Sequence, residues 1–551
     1  MKRRHVHVLP AVLHKLVTSF LSLQDMIPWS RCSRAQYKHA CDYMASARVL
    51  KVRAKDLEAG RALTLKCRQL RQIQLFGLEF SADWQTEWLC QLIDHNQQTL
   101  ESIDPVVTTE LVLAKLGQCP RYHRLCRTYV PHLSSFPSGS VAQLVDSRLT
   151  SVQHMYLDDV ELLTEIGNKC RLQNIHVNCL PLHAVSLIEL HTQHLTDLTI
   201  ECAAFYGSVW AALGGVLERC SQLERLTLQT RKAPSLVLSH APAVCNELKL
   251  PRLKILRMVS TAFSGPVLKE DSDDENTVLH ETTSGHVTML HAPQLVEAIL
   301  DDSVKISFAK SSPDMHQLSV SNGNTSSRQE FRQTLCSCYW RKLRTLCCEW
   351  PLDEDEIRAV ACHELLEHVT MTTDIGLAWT LNTLSQGLGH LDHLNLETTH
   401  TGLVQECGQK HFIKSHESTA HVARIDIYGL YFDSWSSILV PFPHVGTIRL
   451  CNRAKLCTMV FDLDGKRIFP AVRSVTLWNI DMSRDDWARL LKAMPNLQHV
   501  ASRSQSWKIV RALLDMKTTS RLKTLTIPVM YDQQLSNELA HRFPELEVLA
   551  F

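Results

Sequence analysis

Leu195-Thr196-Asp197-Leu198-Thr199-Ile200 and Leu223-Glu224-Arg225-Leu226-Thr227-Leu228 repeat one phrase within 34 residues: apolar, two variable, apolar, one variable, apolar. The alternation over the last three positions is that of a strand buried on one face. Between the two phrases stand Val209-Trp210, Leu213 and Val216-Leu217, a stripe with the 3.6-residue period of a helix, and then Cys220-Ser221-Gln222 lead into the next phrase. Trp487, Leu490-Leu491 and Met494-Pro495-Asn496-Leu497 repeat that arrangement. The unit is therefore strand, turn, helix and return loop. A unit of this size has an apolar face that it cannot bury alone, so it must stack on copies of itself.

Such copies run along the chain. The phrase reads at Leu172-Ile175-Val177, Leu253-Leu256-Met258, Met315-Leu318-Val320, Leu366-Val369-Met371 and Leu391-Leu394-Leu396. It continues at Val422-Ile425-Ile427, Val445-Ile448-Leu450, Val472-Val475-Leu477, Leu522-Leu525-Ile527 and Leu546-Leu549-Phe551, with partial copies at Leu70, Leu149, Leu295, Leu343 and Leu497. This is the L-x-x-L-x-L pattern of a leucine-rich repeat, in about seventeen copies spaced mostly by about 20 to 31 residues. Proline stands two positions before the first apolar residue at Pro251, Pro293, Pro313, Pro443, Pro470, Pro495 and Pro544, with Pro120 a further member. With 20 prolines in 551 residues, chance would supply fewer than one, so the register is part of the repeat. Proline ends the preceding helix and lacks the N–H that a strand ladder needs, which suits a loop position just before pairing begins. The expected fold is α/β, a leucine-rich-repeat solenoid with a parallel concave sheet and convex helices. An ordinary globular α/β domain leaves the period and the proline register without a cause.

Length and charge agree with an elongated array. A chain of 551 residues exceeds one ordinary hydrophobic core. With 58 basic and 57 acidic residues there is no general field to draw in nucleic acid or an anionic membrane. No apolar run approaches the roughly 20 residues of a membrane span. Met1-Lys2-Arg3-Arg4 is basic, but His5, His7, His14 and Lys15 break any signal-peptide core, so a cytoplasmic or nuclear location is expected. There the cysteines stay reduced, and Cys119, Cys170, Cys220 and Cys245 fit as small buried hydrophobes. Residues 264–286 interrupt the array with Lys269-Glu270-Asp271-Ser272-Asp273-Asp274-Glu275-Asn276, read as a solvated acidic insertion in which Ser272 offers an alternative docking or phosphorylation role; residues 321–329 form a shorter polar loop.

Residues 5–47 differ in texture from the repeats at 60–551. Leu9, Pro10, Leu13, Val17, Leu21, Asp25 and Cys32 resemble, in order and spacing, the Leu-Pro start, amphipathic helices, aspartate and Val-Cys-Arg-like helix of an F-box. Tyr37 stands where tryptophan is usual, and Pro28-Trp29 fall at the start of the third helix. The whole chain thus resembles the F-box and leucine-rich-repeat proteins, with a small all-α F-box-like segment ahead of the solenoid. The resemblance implies that those residues dock on a Skp-type adaptor, and through it on a cullin-RING ligase of the SCF type, while the repeats hold a protein substrate for ubiquitination. The alternative is a helical cap covering the first repeat's leucines, on a repeat scaffold without a ubiquitin role.

Motifs for chemistry are missing from the sequence. Gly465-Lys466-Arg467 lacks the rest of a phosphate loop, and no G-x-S-x-G or H-E-x-x-H occurs. Cys336-x-Cys338 and Cys347-Cys348 lack zinc-ligand spacing and are expected to be buried structural thiols; His363 and His368 are expected on the surface or in loops. Asp353-Glu354-Asp355-Glu356 reads as the charged first turn of a helix. The expectation is a non-enzyme with no catalytic residue, metal or cofactor.

A substrate would meet the variable positions of each phrase, which face the concave side because side chains alternate along a strand. Most are small and polar (Asn174, Thr199, Thr227, Ser319, Ser474, Thr526), which gives nucleic acid no basic stripe. Arg424, Asp426 and Tyr428 on one strand, Arg449 on the next and Trp478 on the one after stand out, since Arg, Tyr and Trp are the types enriched in binding hot spots.

Overall fold

The computed structural model describes residues 23–550 apart from 78–82, 105–109, 127–148, 158–169, 180, 203–206, 231–246, 261–287, 301–305, 308–311, 321–324, 338–339, 399–421, 430–431, 433, 454–455, 464–466, 505, 517–520 and 529–531. Leu9, Pro10, Leu13, Val17 and Leu21 therefore lie outside the described residues, as do the 264–286 insertion and Cys245. The chain divides into two compact units, Met1–Leu253 with Val259–Thr283, and Lys254–Met258 with Ser284–Phe551.

Among the described residues, the first unit begins with two helices, α1 (Leu23–Arg31) and α2 (Arg34–Ser46), before strand β1 (Val49–Arg53) and helix α3 (Ala54–Thr64). Strands β2 (Gln72–Phe76), β3 (Ser102–Asp104), β4 (Arg124–Cys126), β5 (Ser151–Leu157), β6 (Asn174–Cys179), β7 (Asp197–Cys202) and β8 (Arg225–Thr230) follow. Each pairs in parallel with the next, so that Leu198 lies between Ile175 and Leu226. Helices such as Asp83–His95 and Gly207–Leu217 connect them, and a short strand, β9 (Glu247–Lys249), lies further along the chain.

In the second unit the main ladder runs through β10 (Ile255–Ser260), β12 (Glu297–Leu300), β14 (Gln317–Val320), β15 (Thr345–Leu352), β16 (His368–Thr373), β17 (His393–Thr398), β18 (Arg424–Gly429) and β19 (Thr447–Asn452). It goes on through β21 (Ser474–Trp478), β23 (His499–Ser502), β24 (Thr524–Ile527) and β25 (Glu547–Ala550), again parallel throughout. Two short pairs, β11 (Thr288–His291) with β13 (Ile306–Ser307) and β20 (Cys457–Thr458) with β22 (Ile480–Asp481), stand beside it. Each unit is thus a mixed α/β array on a parallel sheet. The apolar positions of the repeated phrase form its core: Leu198, Leu226, Leu318, Val369, Leu394, Ile425, Ile448 and Val475 are all fully or almost fully buried.

The proline register has a sharper cause than helix termination. Leu253, Leu295, Met315, Val445, Val472, Leu497 and Leu546 each donate their N–H to the carbonyl three residues earlier, at 3.1–3.3 Å. That bond closes a β-turn whose second position is the proline, where the fixed φ is already the one the turn requires. Tyr122 closes the same turn on Cys119 across Pro120. The next two N–H groups then reach one carbonyl of the preceding turn, as Val296 and Glu297 do to Lys254 at 2.8 and 3.0 Å, and the parallel ladder starts.

The residue opening this turn is buried in most copies and half-buried at Phe543 in the last one, and its identity varies. Cys119 and Cys220 occupy the position, and Cys67 stands at the same place in a copy whose Leu70 N–H goes to Asn96 Oδ1 instead; all three are buried thiols outside any disulfide, pushed up to about 12 by burial. His363 also occupies the position: it lies in a loop, as expected, but is buried there, 4% exposed with Nδ1 3.2 Å from the Trp340 carbonyl, and burial lowers its proton affinity. Asp353 caps the helix Glu354–Ala361 in a reciprocal capping box with Glu356, as an acidic first turn favours.

At the N-terminus, Asp25 is an exposed residue in the first turn of α1, and Pro28-Trp29 lie inside that helix. Cys32 falls in the break before α2, where its Sγ–H donates to the Pro28 carbonyl at 3.3 Å and Ser33 caps α2 by accepting from the Gln36 N–H. The cysteine thus sits in a break rather than in the helix expected of it, and Pro28-Trp29 lie inside a helix rather than at the start of one. Met26 and Ile27 are buried, and α1 packs on α3.

Candidate interaction surface

Along β17 to β23 the residues between the core positions form rows across the strands. Register places His393, Arg424, Thr447, Ser474 and His499 in one row, and Asn395, Asp426, Arg449, Thr476 and Ala501 in the next. A third row runs Glu397, Tyr428, Cys451 and Trp478, and Arg503 follows Ser502, which pairs with Leu477. All belong to the face opposite the leucine columns, because they alternate with buried residues such as Ile448 and Leu450.

The five residues singled out in the sequence are therefore on three successive strands, with distinct surroundings. Asp426 is 4% exposed; the Arg424 guanidinium holds it through Nε at 3.0 Å to each oxygen and a terminal nitrogen at 2.8 Å, and His393 Nε2 lies 3.3 Å away. This carboxylate is occupied by Arg424 and His393 and offers little to a partner. Tyr428, Arg449 and Trp478 are half-buried and face outward. Arg449 forms no ion pair with a described residue.

Three further residues complete the cluster. Arg453 pairs with Glu397 and sets its guanidinium carbon 5.4 Å from the Tyr428 ring centre; Arg503 sets its own 4.8 Å from the Trp478 ring. Cys451, between the two aromatic residues, is the small member of its row. Burial pushes its thiol above the usual range, while the nearby charges of Arg453, Arg449 and Arg503 pull it the other way. Trp478 Nε1 is buried without a hydrogen-bond partner among the described residues. Four arginines (424, 449, 453, 503) against two carboxylates (397, 426) leave a formal charge of +2.

Arg453 was legible in the sequence by parity, since 449, 451 and 453 share one face; Arg503 becomes a neighbour only through strand pairing. Asn479 ends β21 directly after Trp478 with φ of 55°, a left-handed conformation that asparagine tolerates, and its Nδ2 donates to the Asn452 carbonyl at 2.9 Å. Elsewhere, Cys336 is exposed at the end of the helix Thr325–Cys336 and Cys347 is half-buried, so only Cys348 of the described cysteines in that cluster is a core thiol; Cys338 is outside the described residues. His368 is exposed, as expected, and lies edge-on to His393 at 6.5 Å. Among the described residues no group of three or more His, Cys, Asp and Glu is placed to hold a metal ion, and no helix is long and apolar enough to cross a membrane.

No family model and no curated protein matches the chain. Among solved structures, one described as "Crystal structure of TLR13-ssRNA13 complex" aligns with 90% of the chain at 13% identity and a TM-score of 0.36, and the chain spans 62% of that protein's length.

Proposed function

We propose that the chain is a leucine-rich-repeat solenoid with an F-box-like N-terminus, acting in the cytoplasm or nucleus as the substrate-recognition subunit of an SCF-type ubiquitin ligase. Leu9, Pro10, Leu13, Val17, Leu21, Asp25 and Cys32 would dock on a Skp-type adaptor, and the face carrying Arg449 and Trp478 would hold a protein substrate. The observation that carries the reading is the joining of the two parts: α2 ends at Ser46 and the first repeat strand begins at Val49, so an adaptor on the helices would stand close to a substrate on the repeats. No catalytic residue is required of such a receptor, because it works by raising local concentration.

A second reading is favoured by the burial of Met26 and Ile27 and by the packing of α1 on α3, which is what a helical cap on a repeat scaffold does. Pull-down with a Skp-type adaptor separates the two. The intact chain should bind, while a form lacking residues 1–47 and a Leu9→Ala, Pro10→Ala double variant should not. Absence of binding by the intact chain removes the ligase role and leaves the scaffold.

A further inference from the structure

Adjacent parallel strands lie about 4.8 Å apart, so Tyr428 and Trp478, one strand either side of Cys451, rise roughly 10 Å apart with a small side chain between them. The row thus has a notch. Arg449 stands one row away on the same strand as Cys451, Arg453 follows that strand's end, and Arg503 lies beside Trp478. Two of these guanidinium groups lie against aromatic rings, at 5.4 Å for Arg453 on Tyr428 and 4.8 Å for Arg503 on Trp478, which restricts their rotamers before any ligand arrives. Their backbones are fixed as well: Arg453 N–H donates to the Gly429 carbonyl at 2.9 Å, and Arg503 N–H to the Leu477 carbonyl at 3.1 Å.

We propose that this notch, floored by Cys451, walled by Tyr428 and Trp478 and ringed by Arg449, Arg453 and Arg503, receives a phosphoryl group on an extended segment of a partner protein. Capture by this face is then switched on by phosphorylation of the partner. The inference rests on the reading that this face binds protein, and adds the chemistry it selects. Guanidinium forks match phosphate oxygens two at a time, and a phosphoryl group carries close to two negative charges at neutral pH. That balances the formal +2 of the rows, whereas a single carboxylate leaves one charge unmatched. A nucleic acid would present a run of phosphates, but the neighbouring rows hold Thr447, Ser474, Thr476 and Ala501, and their further arginine, Arg424, is paired with Asp426, so they offer no continuous basic track.

The test uses the full chain and fluorescein-labelled degenerate peptide pools with a fixed central phosphoserine, phosphothreonine or phosphotyrosine. Matched pools carry the unphosphorylated residue or glutamate, and a single-stranded oligonucleotide serves as a further probe. At least one phosphorylated pool should bind tenfold or more tightly than both its unphosphorylated and its glutamate counterpart, by anisotropy at fixed salt. Arg449→Gln with Arg503→Gln should abolish the preference, Arg449→Lys should keep part of it, and Lys492→Gln with Lys523→Gln, the same loss of two charges at exposed residues elsewhere, should keep it all. Thermal melting of each variant confirms folding. Equal binding of matched pools, a preference surviving in the double arginine variant, no binding by any pool, or tighter binding of the oligonucleotide overturns the proposal. Adaptor binding, measured on the same samples, reports separately on the ligase reading.

Discussion

Replacing Asn96 with alanine should destabilise the first unit by about 3 kcal/mol, and the figure follows from three bonds. Asn96 is 1% exposed. Its Oδ1 accepts from the Leu70 N–H at 2.8 Å, and its Nδ2 donates to the carbonyls of Leu92 at 2.8 Å and Cys67 at 3.3 Å. The side chain thus ties the turn before β2 to the end of the next helix, at the level where Thr99 Oγ1 also donates to the Leu70 carbonyl. Each buried bond is worth about 1 kcal/mol net, and Asn96→Ala strands the Leu70 donor away from water. Repeat arrays can open in segments, so a global urea midpoint can under-read a local loss. Hydrogen exchange at the Leu70 amide reads the site itself, and about 3 kcal/mol corresponds to roughly a hundredfold drop in protection. Asn96→Asp separates geometry from size: the acceptor for Leu70 survives, but a carboxylate oxygen now faces two carbonyls. It should be no better than alanine at neutral pH and should recover as acid protonates it. Unchanged Leu70 protection in Asn96→Ala, with an urea midpoint shift worth less than about 0.5 kcal/mol, would refute the assignment of the turn's stability to this side chain.

Three further outcomes follow from the same kind of accounting. His191 Nδ1 accepts from the Leu172 N–H at 3.3 Å, in the role Asn96 Oδ1 plays for Leu70, and burial lowers its pKa from 6.5 to about 4. The neutral form is the folded one, so its contribution is complete above pH 6.5 and is lost as pH falls towards 4, on the order of 3 kcal/mol in all. His191→Asn, which keeps an acceptor without the titration, should flatten that part of the stability–pH curve, and parallel curves would dismiss the idea. Arg424→Gln leaves the buried Asp426 carboxylate facing only His393 and should cost about 1–2 kcal/mol in urea unfolding, the half-exposed arginine being partly screened. Adding Asp426→Asn should restore most of it; strict additivity of the two changes would argue against coupling. A Cβ on Gly387 would lie 1.9 Å from the Ala361 carbonyl oxygen, so Gly387→Ala should lower the melting temperature by an amount equivalent to about 1–3 kcal/mol, and an unaltered melt would mean the helix shifts freely.

The parallel ladder was legible because the leucine columns are set by a period that one sequence displays many times. The return turn was half legible: Pro251 and its equivalents marked the place, but the hydrogen bond that makes the place a β-turn does not show in residue types. The burial of His363 was hidden for the same reason, since nothing local tells a histidine that opens such a turn from one in an exposed loop. Cys32 was set by a distant pattern, and short-range capping decided otherwise: Ser33 takes the Gln36 N–H, so that α2 starts at Arg34 and leaves Cys32 outside it. In the surface cluster, alternation brought Arg424, Asp426 and Tyr428 to one face, yet it could not separate Asp426, whose charge is spent on Arg424, from Tyr428, which faces outward. Arg503 is 54 residues from Arg449 in sequence and reaches the same notch only because β19, β21 and β23 pair in register.

The notch also shows why function can change on this scaffold with little effect on its stability. Arg449, Cys451, Thr476 and Trp478 alternate with Ile448, Leu450, Val475 and Leu477, which are fully buried and carry the stacking energy. Substitution at the outward positions leaves that core untouched, and in other rows the same positions hold Thr199, Thr227 or Ser319, which pair equally well in the ladder. What distinguishes the cluster is two local departures from the repeat. Asn479 adopts a left-handed conformation that ends β21 at Trp478, and Gly429 ends β18 where a Cβ would come within 2.9 Å of Thr398 Oγ1. The Gly429 carbonyl then receives the Arg453 N–H, so the arginine backbone is held at the strand's end. Rigid strands thus fix the spacing of the aromatic walls, and the strand ends place the charges, an arrangement in which a ligand pays little to order the site that binds it.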